Sequence, residues 1–224
     1  TNSNHRYHKW KNLVYDYEPM AANQLWVADI TYISPADSDV CYLHLITDAY
    51  SRMIVGWELA DTLRAAITMK ALGQAIGQAG GAHLENLIHH SDRGVQYCCD
   101  DYVAMLRKHG IRISMTEDYN PTDNAVAERT NGIIKTEIVY PRKTFNNLEH
   151  ARNVIGRFIH FYNYNRPHMS IGYKIPAVVH LENGPQKKMW RKKNYPKRMN
   201  ENQNNGISLP CRTTGTDDGC CHNI

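Results

Sequence analysis

The sequence predicts an α/β fold, a mixed five-stranded sheet flanked by helices. Three apolar, β-branched runs with period-two spacing follow one another between residues 25 and 60, separated only by turn formers. Helix-like and strand-like patterns then alternate to residue 115, and strands followed by alternating helices and strands imply a sheet covered by helices. A chain of 224 residues can hold one domain of about 150 residues, which buries roughly 70% of its unfolded surface without a disulfide or structural metal.

The first three strands are expected at Leu25 to Ile33, Val40 to Tyr50 and Met53 to Ala60, an antiparallel meander turning at Pro35 to Asp39 and at Ser51-Arg52. Leu63 to Ala79 carries apolar residues at helical spacing and closes at Gly80-Gly81. Leu87 to His90 is a short apolar strand that leads into Ser91-Asp92. Tyr97 to His109 reads as a second helix closed by Gly110, and Ile111 to Met115 as the fifth strand, before a turn-rich loop through Asn120-Pro121. Ala125 to Val139 is the next helix, with Asp123 or Asn124 as its N-cap, and Leu148 to Asn165 is another that stops before Pro167. From about Gly184 onward Lys, Asn and Gly dominate and apolar periodicity disappears, so residues 183–224 are expected to form a basic tail without a fold of their own.

Cysteine usage argues against a zinc module. Cys98 and Cys99 are adjacent, Cys220 and Cys221 are adjacent, and Cys41 and Cys211 stand alone, so no C-x-x-C pair exists. His5 and His8 have ligand-like spacing, but no cysteine pair follows at finger distance, and they read as solvated. Thr1 to Lys11 is polar and basic, and nowhere do 18 apolar residues run uninterrupted, so no membrane is implied and the expected compartment is the cytoplasm. Thr1 in place of Met is the start expected of a chain cut from a larger product. The formal net charge is only +4, yet Lys187, Lys188, Arg191, Lys192, Lys193, Lys197 and Arg198 crowd one short segment. Interleaved with Trp190 and Tyr195, that run suits the phosphates and stacked bases of a nucleic acid; the alternative is a solubilising tail.

Three acids carry the chemistry. Asp29 lies in L-W-V-A-D-I-T-Y-I, an apolar strand where a buried carboxylate costs several kcal/mol unless it is paired or metal-bound. Asp92, in H-H-S-D-R-G, ends a short strand, the place where sheet-based active sites lie; its plainer reading is an Asx turn. Glu128 shares one polar helix face with Asn124, Asn131, Gly132 and Lys135, and an acid on such a face is by itself only solvated. Brought together, the three would repel by about 4 kcal/mol per pair at 4 Å and an effective dielectric near 20, a repulsion that divalent cations convert into binding. Oxygen ligands suit Mg²⁺ or Mn²⁺, and two ions about 4 Å apart support phosphodiester chemistry.

Between Asp92 and Glu128 lie 35 residues, and Lys135 follows the glutamate by two helical turns. With the words W-V-A-D-I-T-Y, H-S-D-R-G-V-Q-Y, D-N-A-V-A-E-R-T-N-G-I-I-K-T-E and F-Y-N-Y-N-R-P-H-M-S-I-G-Y-K-I-P-A, this resembles the DDE integrase and transposase core. The likeness is to bacterial insertion-sequence OrfB-type transposases, relatives of retroviral integrases, over roughly residues 20 to 180. The resemblance implies a ribonuclease-H-like fold with Asp29, Asp92 and Glu128 as catalytic metal ligands for two Mg²⁺ (Mn²⁺ being the alternative). It also implies Lys135 on the terminal DNA, and a homo-oligomer that cleaves 3′ ends of double-stranded DNA and joins them to a target. Asn124, Asn131 and Arg166, with the tail residues Lys187, Lys188, Arg191, Lys192 and Lys193, are the remaining candidate DNA contacts. His168 flanks the same proline as Arg166, and His89 and His90 precede Asp92, where packing is the plainer reading. Residues 1–20 read as the trailing edge of an upstream DNA-binding region and 21–182 as the core. The alternatives are a ribonuclease-H-like nuclease and an inactive DNA-binding remnant.

Overall fold

The computed structural model describes residues 4–33, 40–80, 84–117, 124–142 and 145–186. Its sheet contains β1 (Leu25–Ile33), β2 (Cys41–Asp48), β3 (Ile54–Ala60), β4 (Ile88–Ser91) and β5 (Arg112–Met115), in the spatial order β3-β2-β1-β4-β5. The first three strands pair antiparallel through short connections, whereas β4 runs parallel to both β1 and β5. Parallel neighbours need crossovers. Helix α1 (Ala65–Gln78) supplies the first, and α2 (Val95–Cys98) with α3 (Asp100–Lys108) supplies the second. The chain then forms α4 (Ala125–Ile134), α5 (Tyr140–Arg142), α6 (Leu148–Tyr164) and α7 (Pro176–Val179).

Strand side chains alternate between faces, and the sheet is covered on both. Trp26, Ala28 and Ile30 pack with Ile46, Val55 and residues of α1 and α3 in one core. On the other face Leu43, Leu45 and Leu59 meet Ile133 and Ile134 of α4 and the apolar stripe of α6, where Val154, Ile155, Phe158, Ile159 and Tyr162 recur at helical spacing. Asp29 alternates with Ala28 and Ile30 and so belongs to the α4 face. Close seating of α1 depends on Gly56, where a Cβ would stand 2.1 Å from the Ala71 carbonyl oxygen.

Departures from the expected elements have local causes. The hairpin strands stop short of Tyr50 and Met53 because the Asp48 carboxylate accepts the backbone N–H groups of Tyr50 (3.1 Å) and Ser51 (2.8 Å) and the Ser51 hydroxyl. That turn puts Arg52 at φ 68°. The expected helix over residues 97–109 is two helices, broken at Cys99 in extended conformation, with Asp100 and Asp101 in the favourable first turn of the second. The expected helix to Val139 is α-helical only to Ile134 and continues as a π-turn over Lys135–Val139. Asn124 holds the N-cap position of α4 but does not cap with its side chain. Its amide instead donates to the Ala28 carbonyl at 3.2 Å, tying the helix to β1. Asp123 and the Asn120-Pro121 turn lie outside the described residues.

Both flanks of the core are held to it. The Leu13 amide donates to the Ser114 hydroxyl at 2.8 Å and the Asn12 amide to Glu117, so the N-terminal segment runs beside β5. Gly184 donates to the Met20 carbonyl at 2.7 Å and accepts from the Tyr50 hydroxyl at 3.0 Å. Among the described residues no helix is long and apolar enough to cross a membrane.

Candidate active site

Sheet register brings the first two acids together. β1 and β4 pair in parallel with Val27 opposite His90, and continuing that register two residues sets Asp92, just past the end of β4, beside Asp29. The Asp29 carboxylate is half-buried and held on both oxygens: Oδ1 accepts from the Ile30 N–H at 2.8 Å and Oδ2 from the Asn131 side-chain amide at 2.6 Å. Asp92 Oδ1 accepts from the Gly94 N–H at 2.9 Å, so the Asx turn and the strand-end acid coexist in one residue.

The charges of the three acids bear on one another. Burial and then the charge of Asp92 push the Asp29 carboxyl up to about 6, with a smaller push from Glu128, against the downward pull of the Ile30 and Asn131 hydrogen bonds. Glu128 is exposed on α4, between Asn124 and Asn131, and acts on Asp29 less than Asp92 does. Among the described residues no three His, Cys, Asp or Glu side chains close around one ion-sized point. Two acids are assembled on the sheet, and the third stands at the rim on the helix.

The donor chemistry fits a hard divalent cation. Every ligand atom offered is oxygen, and a cation would relieve the cost of ionising Asp29 next to Asp92. Asn124 Oδ1 and Asn131 Oδ1 are buried without a hydrogen-bond partner among the described residues, leaving spare acceptors at the same place.

The other sequence candidates separate. Asn124 and Asn131 are at the site and buried, and Lys135 is half-buried one turn beyond Asn131, at the start of the π-turn. Arg166 is not brought to the acids by any described contact; its guanidinium donates to Glu137 (Nε to Oε2 3.0 Å) and lies against His168. Lys187, Lys188, Arg191, Lys192 and Lys193 lie outside the described residues. His89 and His90 are buried under the site: His89 Nε2 meets the Tyr102 hydroxyl at 2.9 Å and His90 Nδ1 the Ser114 hydroxyl at 2.8 Å.

Tyr97 was not singled out from the sequence, although it closes the word H-S-D-R-G-V-Q-Y. Its buried hydroxyl has no hydrogen-bond partner among the described residues, and burial, followed by the charges of Asp92 and Asp29, holds it far above the usual phenol range. It therefore stays a neutral group under the two aspartates.

Comparison with known proteins bears on the fold and the family. A 31 kDa protein of insertion element IS600 from Shigella sonnei is 39% identical over 181 residues, 80% of this chain and 65% of that protein. A Mycobacterium tuberculosis protein of insertion sequence element IS986/IS6110 is 36% identical over 165 residues, 72% of this chain and 59% of the relative. The transposase for insertion sequence element IS904 from Lactococcus lactis is 31% identical over 161 residues, 71% of this chain and 62% of the relative. The chain thus spans about three fifths of the length of these curated relatives. In solved structures the fold recurs in the simian T-cell lymphotropic virus intasome bound to a PP2A regulatory subunit (TM-score 0.63, 19% identity, 85% of this chain and 66% of that one). It recurs also in the HTLV-2 integrase catalytic core domain in complex with magnesium (TM-score 0.56, 20% identity, 73% and 99%). Two family models, both described as integrase core domain, match residues 19–121 and 109–176, and with this ribonuclease-H-like sheet the chain belongs to the integrase core domain family.

Proposed function

We propose that the chain is the catalytic core of an insertion-sequence transposase that cleaves the 3′ ends of a double-stranded DNA element and joins them to target DNA. The observation that carries this reading is the meeting of Asp29, in the middle of β1, with Asp92, just past the end of β4, under a helix that presents Glu128 and is tied to Asp29 by Asn131. The IS904 relative, a transposase, points the same way.

Asp29, Asp92 and Glu128 are the residues that would hold divalent metal, two Mg²⁺ ions in the full site, with Mn²⁺ as the alternative. When bound, such ions activate the attacking oxygen and stabilise the leaving one. The chain's own residues do the rest. Asn131 fixes the rotamer of Asp29 through its 2.6 Å bond, and the Gly94 amide fixes Asp92. Neutral Tyr97 and the buried His89 keep the floor dry and free of competing charge. Lys135 and the basic run from Lys187 to Lys193 supply positive charge for DNA phosphates, and the joining of two element ends in one complex calls for a homo-oligomer.

Strand transfer on labelled linear DNA carrying the element's terminal repeats tests the reading, with Mg²⁺, with EDTA, and with Asp92→Asn as control. Joined product that needs both metal and Asp92 is the expected result. Nicking without joining would reduce the reading to a ribonuclease-H-like nuclease, and no reaction from folded protein would make the chain a DNA-binding remnant.

A further inference from the structure

Helix α4 has two working faces. Asn124, Glu128, Asn131 and Lys135 share one, from which Asn124 bonds Ala28 and Asn131 bonds Asp29. At 100° per residue, Val126, Arg129, Thr130 and Ile133 centre about 180° away. This second face closes a cavity of about 550 Å³, completed by Arg52 from the β2–β3 turn and by the chain after α6, from Arg166 to Tyr173. Three arginines and a histidine line it, and no carboxylate does.

The positive charge there is built in rather than incidental. Arg52 stands at φ 68°, a backbone state rare outside glycine, because the Asp48 carboxylate is committed to the amides of Asn23, Tyr50 and Ser51 and so fixes the turn. Among the described residues neither Arg52 nor Arg129 has a carboxylate within salt-bridge distance, whereas Arg166 is engaged by Glu137. Burial lowers the Arg52 guanidinium below its ordinary value, against the upward pull of Tyr162, Asp48 and Glu18. His168, lowered to about 4 by burial and then by Arg166, is neutral and adds hydrogen-bonding capacity without charge.

Beside the arginines the lining is apolar and aromatic. The loop from His168 to Lys174, closed by an antiparallel bridge, presents Met169 and Tyr173, both exposed, at the cavity. A volume near 550 Å³ exceeds what a bare phosphate needs and falls in the range of organic ligands. A ligand that is anionic at one end and flat and apolar at the other matches both halves.

We propose that this cavity is a nucleotide-binding site that takes one unpaired nucleotide of a DNA strand, its phosphate on Arg52 and Arg129 and its base against Tyr173 and Met169. The choice of a DNA strand over a free nucleotide rests on the DNA-joining reading above; the nucleotide chemistry does not. The strand would pass around α4, a helix about 10–12 Å across, to run from the acids to the cavity.

The test is fluorescence anisotropy in EDTA, so that no catalysis is needed, comparing a blunt duplex with one bearing a three-nucleotide single-stranded overhang. The overhang should bind more tightly, and Arg129→Gln and Arg52→Gln should each remove about tenfold of that affinity while leaving the blunt duplex unchanged. Arg129 is exposed on its helix, so its variant keeps the test valid if the Arg52 variant melts early. Tyr173→Ala should weaken overhang binding without changing its salt slope. Displacement of the overhang by dAMP but not by inorganic phosphate would confirm nucleotide chemistry and admit a free nucleotide as occupant; no displacement, with the arginine dependence intact, would restrict the site to a strand. Wild-type overhang affinity in both arginine variants, or equal competition by an acidic peptide, overturns the proposal. Because Asp92→Asn should bind the overhang normally, failure of strand transfer and failure of this site are separate results.

Discussion

The two aspartates and the glutamate of the candidate site are held in different ways. Asp29 sits on β1 and Asp92 just past the end of the parallel strand β4, and each has a carboxylate oxygen bonded to a backbone amide one or two residues on. Glu128 projects from a helix, exposed, and acts on Asp29 more weakly than Asp92 does. The difference teaches where preorganisation is costly: the sheet keeps two like charges together at the expense of ionising Asp29, while the helix keeps the third at a distance where it costs little. In the function proposed above, metal and DNA would draw the third acid to the other two.

Exchanging the acids one at a time is the strongest way to break that comparison. Asp29→Asn and Glu128→Gln should both lower strand transfer by about 10³-fold or more, since each removes charge from the place where the reaction develops it. Their stabilities should diverge. With EDTA at pH 7.5, Asp29→Asn relieves a buried carboxylate whose own value is near 6 and should raise Tm by about 2–4 °C, the shift expected for roughly 1 kcal/mol in a chain of this size. Glu128→Gln should leave Tm within about 1 °C. Equal melting curves would mean that the sheet pair carries no special cost.

Next in size is the link between the two regions. Asn131→Leu removes the amide that bridges α4 to Asp29, and a partner that orients a ligand is worth about 10–100-fold in metal affinity or activity. Measured by strand transfer across a Mg²⁺ titration, the loss should be partly recovered at high metal. An unchanged Mg²⁺ dependence would make Asn131 a packing residue.

Most of the sheet and of the acid set was legible in the residues, for a physical reason. Period-two apolar runs and glycine stops mark elements whose burial is one-sided or complete, and β1 matches its expected bounds, Leu25–Ile33, at both ends. Side-chain hydrogen bonds to backbone were not legible, because the same polar residue can cap, turn or reach a distant strand, and the pattern does not say which partner it takes. Asn124 looks like an N-cap and instead bonds to Ala28 in the neighbouring strand. Asp48 trims two strands through the turn it organises. The π-turn at Lys135 and the break at Cys99 left no trace in periodicity, since a one-residue change in a short helix is smaller than the pattern's own scatter. The arginine cavity draws Arg52, Arg129 and Arg166 from three separate segments, so no local word could announce it.

The floor beneath the sheet pair offers a smaller effect. Burial, with a contribution from His90, lowers His89 from an ordinary 6.5 to about 3, and burial lowers His44 to about 4. Between those values and 6.5 these two rings bind protons in the unfolded chain but not in the folded one, so their contribution to stability is complete above about pH 6.5 and is lost as pH drops toward 3, while Asp29, raised to about 6, acts in the opposite sense. The slope from His89 alone is at most about 1.4 kcal/mol per pH unit. Urea unfolding at pH 7.5, 6.0 and 5.0 measures it, and His89→Phe should flatten the curve if the cost of charging that ring is its source. A pH dependence equally steep in the variant would locate the loss elsewhere.

The smallest expected effect concerns the helix side alone. Lys135 follows Glu128 by seven residues on the same face, and as the first residue of the π-turn it stands where the helix widens. If it contacts one phosphate, Lys135→Ala should reduce the slope of log K against log salt by about 0.9. Affinity for an element-end duplex should then fall by about threefold more at low salt than at a fourfold higher concentration, with Tm unchanged. The size of this effect distinguishes a contact from a neighbour: a lysine that merely lies near the DNA shifts the intercept slightly and leaves the slope alone, whereas one that neutralises a phosphate must change the number of counterions released.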